Sequence, residues 1–461
     1  MMKNRIAIFV TVLFIAASAT ACEDLIEVDK PKTQLIKSTV FEDDLTAVSA
    51  ISGIYALLTS SSSSFSSITY MGALSADELT VQSGDDQYQF FQNELSSTNL
   101  TINAIWSSAY TQISYANSVI EGLEKSTQVT PALRNQLLGE ARFIRAFHHF
   151  YLVNLFGNVP YITTTDYRVN GFVSRMPVAD VYDKIVEDLL AAKAQLADDY
   201  SYSLNERVRV NKWVASALLA RVYLYKGDWL HAEEQASAVI AKSSVYSLNA
   251  DLTKVFLKNS TETIWQLIPP VPQKFTGEGS MLIRLSYNAE LPVLSDTLYK
   301  AFETGDQRKA LWVGEGSNPT LTWHYPFKYK ESNSTGTGAE YATVFRLAEL
   351  FLVRAEARAK QDNLTGLNSA ESDLNAIRLR AGLLPTTATT KEQLLLAIEQ
   401  EKRVELFTEW GHRWLDLKRT SRADDVLPAV KPNWDDTDVL YPIPFNDLQL
   451  NPNLKPQNDG Y

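Results

Sequence analysis

The chain has 461 residues, of which 45% are hydrophobic and 21% charged, and its formal net charge is -11 at pH 7. This is the composition of an ordinary globular protein, which excludes extended disorder, and a length above the usual ~100–200 residues per domain predicts two lobes sharing one core. The acidic balance and the absence of any Lys/Arg-rich block exclude nucleic acid as a partner, because phosphates are bound mainly through basic side chains.

Met1 to Arg5 is a short positive stretch, Ile6 to Ala17 a short apolar one, and Ala19, Thr20 and Ala21 are small residues before a cleavage point. Together they predict an export signal over residues 1–21. No later stretch reaches the roughly 18 unbroken apolar residues needed to span a bilayer. Cys22 is the sole cysteine and follows the small residues directly. The spacing predicts a bacterial lipoprotein signal with Cys22 acylated, although Ala19 stands where such signals usually carry leucine. The alternative is a plain secretory signal with an unpaired thiol. Residues 22–40, broken by Pro31, read as a tether.

Helical spacing runs through Leu45, Val48, Ile51, Ile54 and Tyr55, and a loop is expected at Ser60–Ser64. Tyr70 to Thr101 reads as a long irregular segment rich in aromatic and amide side chains, where a recognition surface would be placed. Ile105, Trp106, Ala109, Ile113, Ala116, Ile120 and Leu123 predict a helix over 102–125. Thr130 and Pro131 open the next one. In it, Leu137, Ala141, Ile144, His148, Tyr151 and Leu155 form one apolar stripe and Phe143, Phe147 and Phe150 a second, so it must lie between neighbouring helices. Gly157, Asn158 and Pro160 stop it.

A further helix is predicted over 178–196. Leu219, Ala220, Tyr223, Gly227, Trp229, Ala232 and Ala236 then carry the spacing of a tetratricopeptide helix–turn–helix. Phe345 to Arg378 is a looser copy through Ala355, Ala370, Leu374 and Ile377. Between them, over about 244–341, helical periodicity fades, short β-like runs appear at 263–268 and 328–330, and Pro269, Pro270, Pro272, Pro292 and Pro319 interrupt the chain. Residues 391–420 are again helical and the tail is extended. The expected fold is mainly α: a tetratricopeptide-like superhelix of helical pairs in 41–243 and 342–461, supporting a loop-rich lobe with few short β-strands in 244–341.

Several ordered stretches resemble the SusD/RagB family of outer-membrane lipoproteins. They are Phe345-Arg346-Leu347-Ala348-Glu349-Leu350 with Arg354-Ala355-Glu356-Ala357; Glu401-Lys402-Arg403-Val404-Glu405-Leu406; Glu409-Trp410-Gly411-His412-Arg413-Trp414 with Asp416-Leu417-Lys418-Arg419; and Leu440-Tyr441-Pro442-Ile443-Pro444 in the tail. The resemblance implies helix pairs cradling a variable lobe. It also implies a protein without catalysis or cofactor that captures glycans at the cell surface and passes them to a SusC-like TonB-dependent outer-membrane transporter. RagB-like members capture peptides instead. The matching stretches are structural in the family and leave the ligand open.

The residues themselves offer no enzyme constellation: there is no Gly-x-Ser-x-Gly, no His-Glu-x-x-His and no phosphate-binding glycine loop. His148 and His149 are adjacent and point in different directions, which is unsuited to joint metal ligation. The pairs Asp85-Asp86, Asp198-Asp199, Asp424-Asp425 and Asp435-Asp436 read as solvated turns, since glycoside hydrolysis needs carboxylates about 5–10 Å apart across a bond. Glu405, Glu409, Arg413 and Asp416 read as interhelix ion pairs. The ligand candidates are Tyr88, Phe90, Phe91, Gln92, Asn93, Phe275, Trp312 and Trp323, because sugar C–H faces rest on aromatic rings and amides bond hydroxyl rims. The competing reading is that these rings fill the small cores of the loop lobe.

Overall fold

The computed structural model describes residues 40–59, 64–84, 86–270 and 274–461. The export signal, Cys22, nearly all of the tether, Ser60–Ser63 and Asp85 lie outside the described residues.

The first half is built of helices: α1 (Asp44–Thr59), α2 (Ser64–Ser75), α3 (Asp86–Gln92), α4 (Leu100–Lys125), α5 (Pro131–Phe156), α6 (Tyr167–Asn170), α7 (Val178–Gln195), α8 (Lys212–Lys226) and α9 (Trp229–Ile240). Several starts have a local cause. The Asn99 side chain accepts from the Thr101 and Ile102 amides to open α4, and Pro131 sits at the first position of α5. Thr130 is not itself a side-chain cap; its amide is held by Asp44, 2.8 Å away. Both apolar stripes of α5 are buried: the helix packs on α4 and α7, and its Phe143, Phe147 and Phe150 meet Trp265, Phe345, Trp410 and Tyr225. Arg145 of α5 forks onto Asp188 of α7 at 2.7 and 2.6 Å. Trp265 closes the far end of this core, edge-on to Phe143 and Phe147 at 5.4 Å each. Truncating a ring packed this way costs about 3–5 kcal/mol.

The α8–α9 pair is the tetratricopeptide hairpin expected. Gly227 ends α8 at φ 75°, a left-handed conformation that glycine adopts without a Cβ clash, and Asp228 caps α9 through the His231 amide. The second pair is α13 (Leu347–Lys360) and α14 (Ala370–Arg380), opened by a Ser369–Ser372 capping box. α13 packs on α9, so the two hairpins stack.

Between them lie β2 (Thr263–Leu267), α10 (Gly277–Leu282), β3 (Val293–Leu294), α11 (Asp296–Ala301), α12 (Gln307–Trp312), β4 (Val313–Ser317), β5 (Thr322–Pro326) and β6 (Ala342–Arg346). Among the described residues three two-stranded antiparallel sheets result: β2 with β6, β4 with β5, and β3 with β1 (Leu79–Thr80). After α14 come α15 (Lys391–Glu405), α16 (His412–Arg419), α17 (Ala423–Val426) and α18 (Phe445–Leu450). No described helix is long and apolar enough to cross a membrane.

Three local expectations are corrected. Tyr70 to Thr101 is not irregular throughout: α2 continues to Ser75 and the Gln-rich run forms α3. Lys328–Lys330 is not a strand; the strands are β4 and β5, where Gly314 and Gly316 leave room for the Tyr325 and Trp323 rings. A Cβ at either glycine would come within 2.4 Å of ring atoms. Phe345 and Arg346 belong to β6, and helix begins only at Leu347.

A buried charge cluster joins the middle of the chain to its C-terminal helices. Arg346 donates to Glu262 at 2.9 Å, to Glu405 at 2.5 Å and to Glu409 at 2.7 Å. Arg308, on α12, reaches Asp306, Glu401 and Glu405 at 2.8, 2.6 and 2.9 Å. Arg380 pairs with Glu262 and Glu405, and Lys328 with Glu409. Burial works to raise Glu405, yet Arg380, Arg346 and Arg308 hold its carboxyl well below the usual range. Glu405 makes the interhelix pairs expected, with Arg308 of α12 and Arg380 of α14; Glu409 lies in the turn after α15 and pairs with Arg346 of β6 and with Lys328, Arg413 pairs with Asp77, and Asp416 pairs with Arg419 on its own helix.

Candidate functional site

The amide-rich run folds as α3 with a defined end. Asn93 takes the left-handed conformation (φ 59°), and the Asn93 and Glu94 amides bond back to the Phe90 and Gln89 carbonyls at 3.3 and 3.1 Å. This is a Schellman stop. Its phase turns Phe90 inward, fully buried and edge-on to Tyr441 at 5.3 Å. Tyr88 and Phe91 stay half-buried, 6.0 Å apart, beside half-buried Gln92. Asn93 is buried and caps α2 through the Ser75 carbonyl.

A second segment meets this one. The Gln82 and Ser83 amides bond the Ala289 carbonyl at 3.1 and 3.3 Å, and β1 pairs with β3 beside them. Tyr70 of α2 donates to Gln87 at 2.8 Å. Burial pushes the Tyr70 hydroxyl up to about 12, against the pull of the neighbouring Arg284 guanidinium. The Arg284 carbonyl accepts from the Trp323 indole at 2.8 Å, and Tyr287 packs on Trp323 at 5.5 Å. These contacts run from Gln87 through Tyr70, which is buried, and Arg284 to Trp323 and Tyr287; with Tyr88, Phe91 and Gln92 of the same α3 they are termed the rim.

The candidates therefore divide. Tyr88, Phe91, Gln92 and Trp323 share this rim, although Trp323 shows only 5% of its surface. Phe275 is half-buried, two residues before α10, which packs on α2. Phe90 and Trp312 are packing residues, both at 0% exposure. Trp312 bonds the Leu252 carbonyl at 3.0 Å and lies edge-on to Phe256. Arg284 and Tyr287 were not among the candidates. Nothing local distinguishes them, since they are lone residues brought to the rim by the β1–β3 pairing.

Other clefts are less suited to a flat ligand. On the opposite side of the hairpin a cleft of about 540 Å³ is lined by Tyr299, His324, Glu303 and Glu315, but Tyr299 is already stacked by His324 at 3.6 Å and by the Lys309 ammonium at 3.8 Å. A cleft of about 740 Å³ by the tail includes Arg175, whose guanidinium is engaged by the Asn158 and Pro456 carbonyls. The rim offers rings, amides and a guanidinium, with no nucleophile and base in bonding contact.

Comparison with known proteins agrees with this architecture. A family model described as "Starch-binding associating with outer membrane" matches residues 28–224, and one described as "SusD family" matches residues 313–461. SusD-like protein P2 of Formosa agariphila is 26% identical, over 98% of this chain and 99% of its own length. The starch-binding protein SusD of Bacteroides thetaiotaomicron is 24% identical over 74% of this chain and 75% of its own. A SusD superfamily protein from Bacteroides vulgatus superposes with a TM-score of 0.81 at 20% identity, covering 92% of this chain and all of that one. A laminarin-binding SusD-like protein superposes at 0.77 with 23% identity, covering 91% of this chain and all of its own. Tyr88 and Trp323 fall inside the two family matches; Arg284 and Tyr287 fall between them.

Proposed function

The chain belongs to the SusD/RagB family, and from that premise we propose that it is a non-catalytic glycan-binding protein of the outer membrane. In this reading the rim takes an oligo- or polysaccharide, Cys22 carries the lipid anchor, and the bound glycan passes to a SusC-like TonB-dependent transporter. The lobe at 244–341 supplies one half of the rim, and the helical region at 41–243 the other.

The observation that carries the reading is the run of contacts from Gln87, which shares α3 with Tyr88, Phe91 and Gln92, through Tyr70 and Arg284 to Trp323 and Tyr287. Rings offer flat faces to sugar C–H groups and the Gln92 amide offers donors to hydroxyls, while the Arg284 guanidinium is held by the Ile283 and Met281 carbonyls. The relatives named for starch and laminarin support a carbohydrate rather than a peptide.

The test is affinity electrophoresis and calorimetry against laminarin, soluble starch, xylan and a peptide mixture. At least one polysaccharide should bind, with no reducing sugar released. A ring contact contributes about 0.5–1.5 kcal/mol, so Tyr88→Ala and Trp323→Ala should each weaken binding by up to about tenfold while the protein stays folded by circular dichroism. Peptide binding without glycan binding would overturn the carbohydrate reading. Glycan binding unchanged in both variants would overturn the site.

A further inference from the structure

α2 and α3 end side by side, and their last carbonyls can be accounted for almost one by one. In α2, the Gly72 and Ala73 carbonyls accept from the Ala76 and Glu78 amides, and that of Ser75 accepts from the Asn93 side chain. In α3, the Gln89 and Phe90 carbonyls accept from the Glu94 and Asn93 amides. Of the three that remain, those of Leu74, Phe91 and Gln92, the first two accept from one group: the side-chain nitrogen of Lys431. Lys431 is 2% exposed, and its nitrogen also lies 4.3 Å from the centre of the Phe91 ring. Among the described residues no carboxylate forms an ion pair with it. Helix C-termini carry partial negative charge, so two ends brought together repel unless a cation or donor lies between them. Burial pushes the Lys431 ammonium down to about 7, with Asp77 pulling it up. An ammonium has three donors and a neutral amine two, so both carbonyls are served in either state.

We propose that Lys431 is the positioning residue of the glycan rim: it clamps the ends of α2 and α3 and thereby holds Phe91 and Tyr88 in the geometry that a glycan meets. The proposal rests on the function given above for what the rim binds, but the clamp itself is independent of the ligand. Lys431 reaches the rim from the C-terminal tail, about 340 positions away in sequence from the residues it holds. It touches no ligand. Its effect passes through the Phe91 carbonyl and ring.

The test compares Lys431→Met with Lys402→Met in the full chain. Lys402 is also buried but is bound to Glu356 at 2.6 Å, on α13, and so serves as a control for general loss of stability. Hydrogen exchange of residues 86–96 is followed well below the unfolding temperature, and affinity for laminarin is measured in parallel. Lys431→Met leaves two buried acceptors unpaired, so exchange at the Asn93 and Glu94 amides should speed up about tenfold or more with little change in Lys402→Met. Laminarin affinity should fall by a similar factor in Lys431→Met alone. Equal exchange at 86–96 in the two variants overturns the clamp. Faster exchange with unchanged laminarin affinity overturns its role in binding. If the wild type does not bind laminarin, the exchange result still decides the clamp, and the failure falls on that ligand assignment.

Discussion

Glu78 lies between α2 and β1, at the foot of the rim, and its titration gives a sharp test of the packing there. Its side chain is 1% exposed; one oxygen accepts from the Thr408 amide at 3.2 Å and the other has no partner among the described residues. Burial, reinforced by the adjacent Asp77 carboxylate, raises its pKa from 4.5 to about 8. A folded-state pKa above the unfolded value means the group's contribution is fully present below pH 4.5 and is lost as pH rises toward 8. The gap between 4.5 and about 8, at about 1.4 kcal/mol per unit, is about 5 kcal/mol. Glu78→Gln keeps the acceptor for Thr408 but cannot ionise. The variant should match the wild type near pH 4.5, exceed it by about 3 kcal/mol at pH 7 and approach 5 kcal/mol at pH 8. Urea unfolding of both proteins from pH 5 to 8 measures this, and titrating groups remote from Glu78 cancel in the difference. A difference that does not change with pH, or a variant less stable at pH 8, would refute the account.

Two further outcomes follow from the charge cluster and the N-terminus. Arg346→Met removes three ion-pair contacts at a site 1% exposed, leaving Glu409 to Lys328 and Glu405 to Arg308 and Arg380. Stability in urea should fall by about 3–5 kcal/mol, and a loss below about 1 kcal/mol would show that the remaining cations suffice. Cys22→Ser should move the protein from the membrane fraction to the soluble one; unchanged membrane association would rule out acylation as the anchor.

Much of the scaffold was legible because its causes are local. The two stripes of α5 follow from 3.6-residue periodicity, and the α8–α9 turn from Gly227 and Asp228, whose roles need only their neighbours. The hairpin β4–β5 was hidden for the opposite reason. Gly314 and Gly316 argue against a strand on propensity, and only the Tyr325 and Trp323 rings lying over them explain their presence. The site was partly legible. An aromatic run at 88–91 is visible in the sequence, but which ring faces in depends on the phase of α3, which places Phe90 in the core and leaves Phe91 half-exposed. Trp312 resembled a ligand contact while it was a lone ring in a loop-rich stretch; contacts with Leu252 and Phe256 decide otherwise.

The stretches that mark the family acquire a physical role from the buried charges. Arg308 and Lys328 come from the middle of the chain, while Glu401, Glu405 and Glu409 come from α15 and the turn after it. α12, which carries Arg308, runs directly into β4 of the hairpin that holds Trp323. On the other side of the rim, Lys431 and Tyr441 from the tail hold α3. Both halves of the rim are thus fastened to the C-terminal region, mainly by buried polar contacts that are costly to break singly. On the reading proposed above, their spacing is set before any ligand arrives, and a glycan would order few side chains at its own expense. Substitutions in the C-terminal helices should then change glycan affinity without touching the sugar, as Lys431→Met is expected to do.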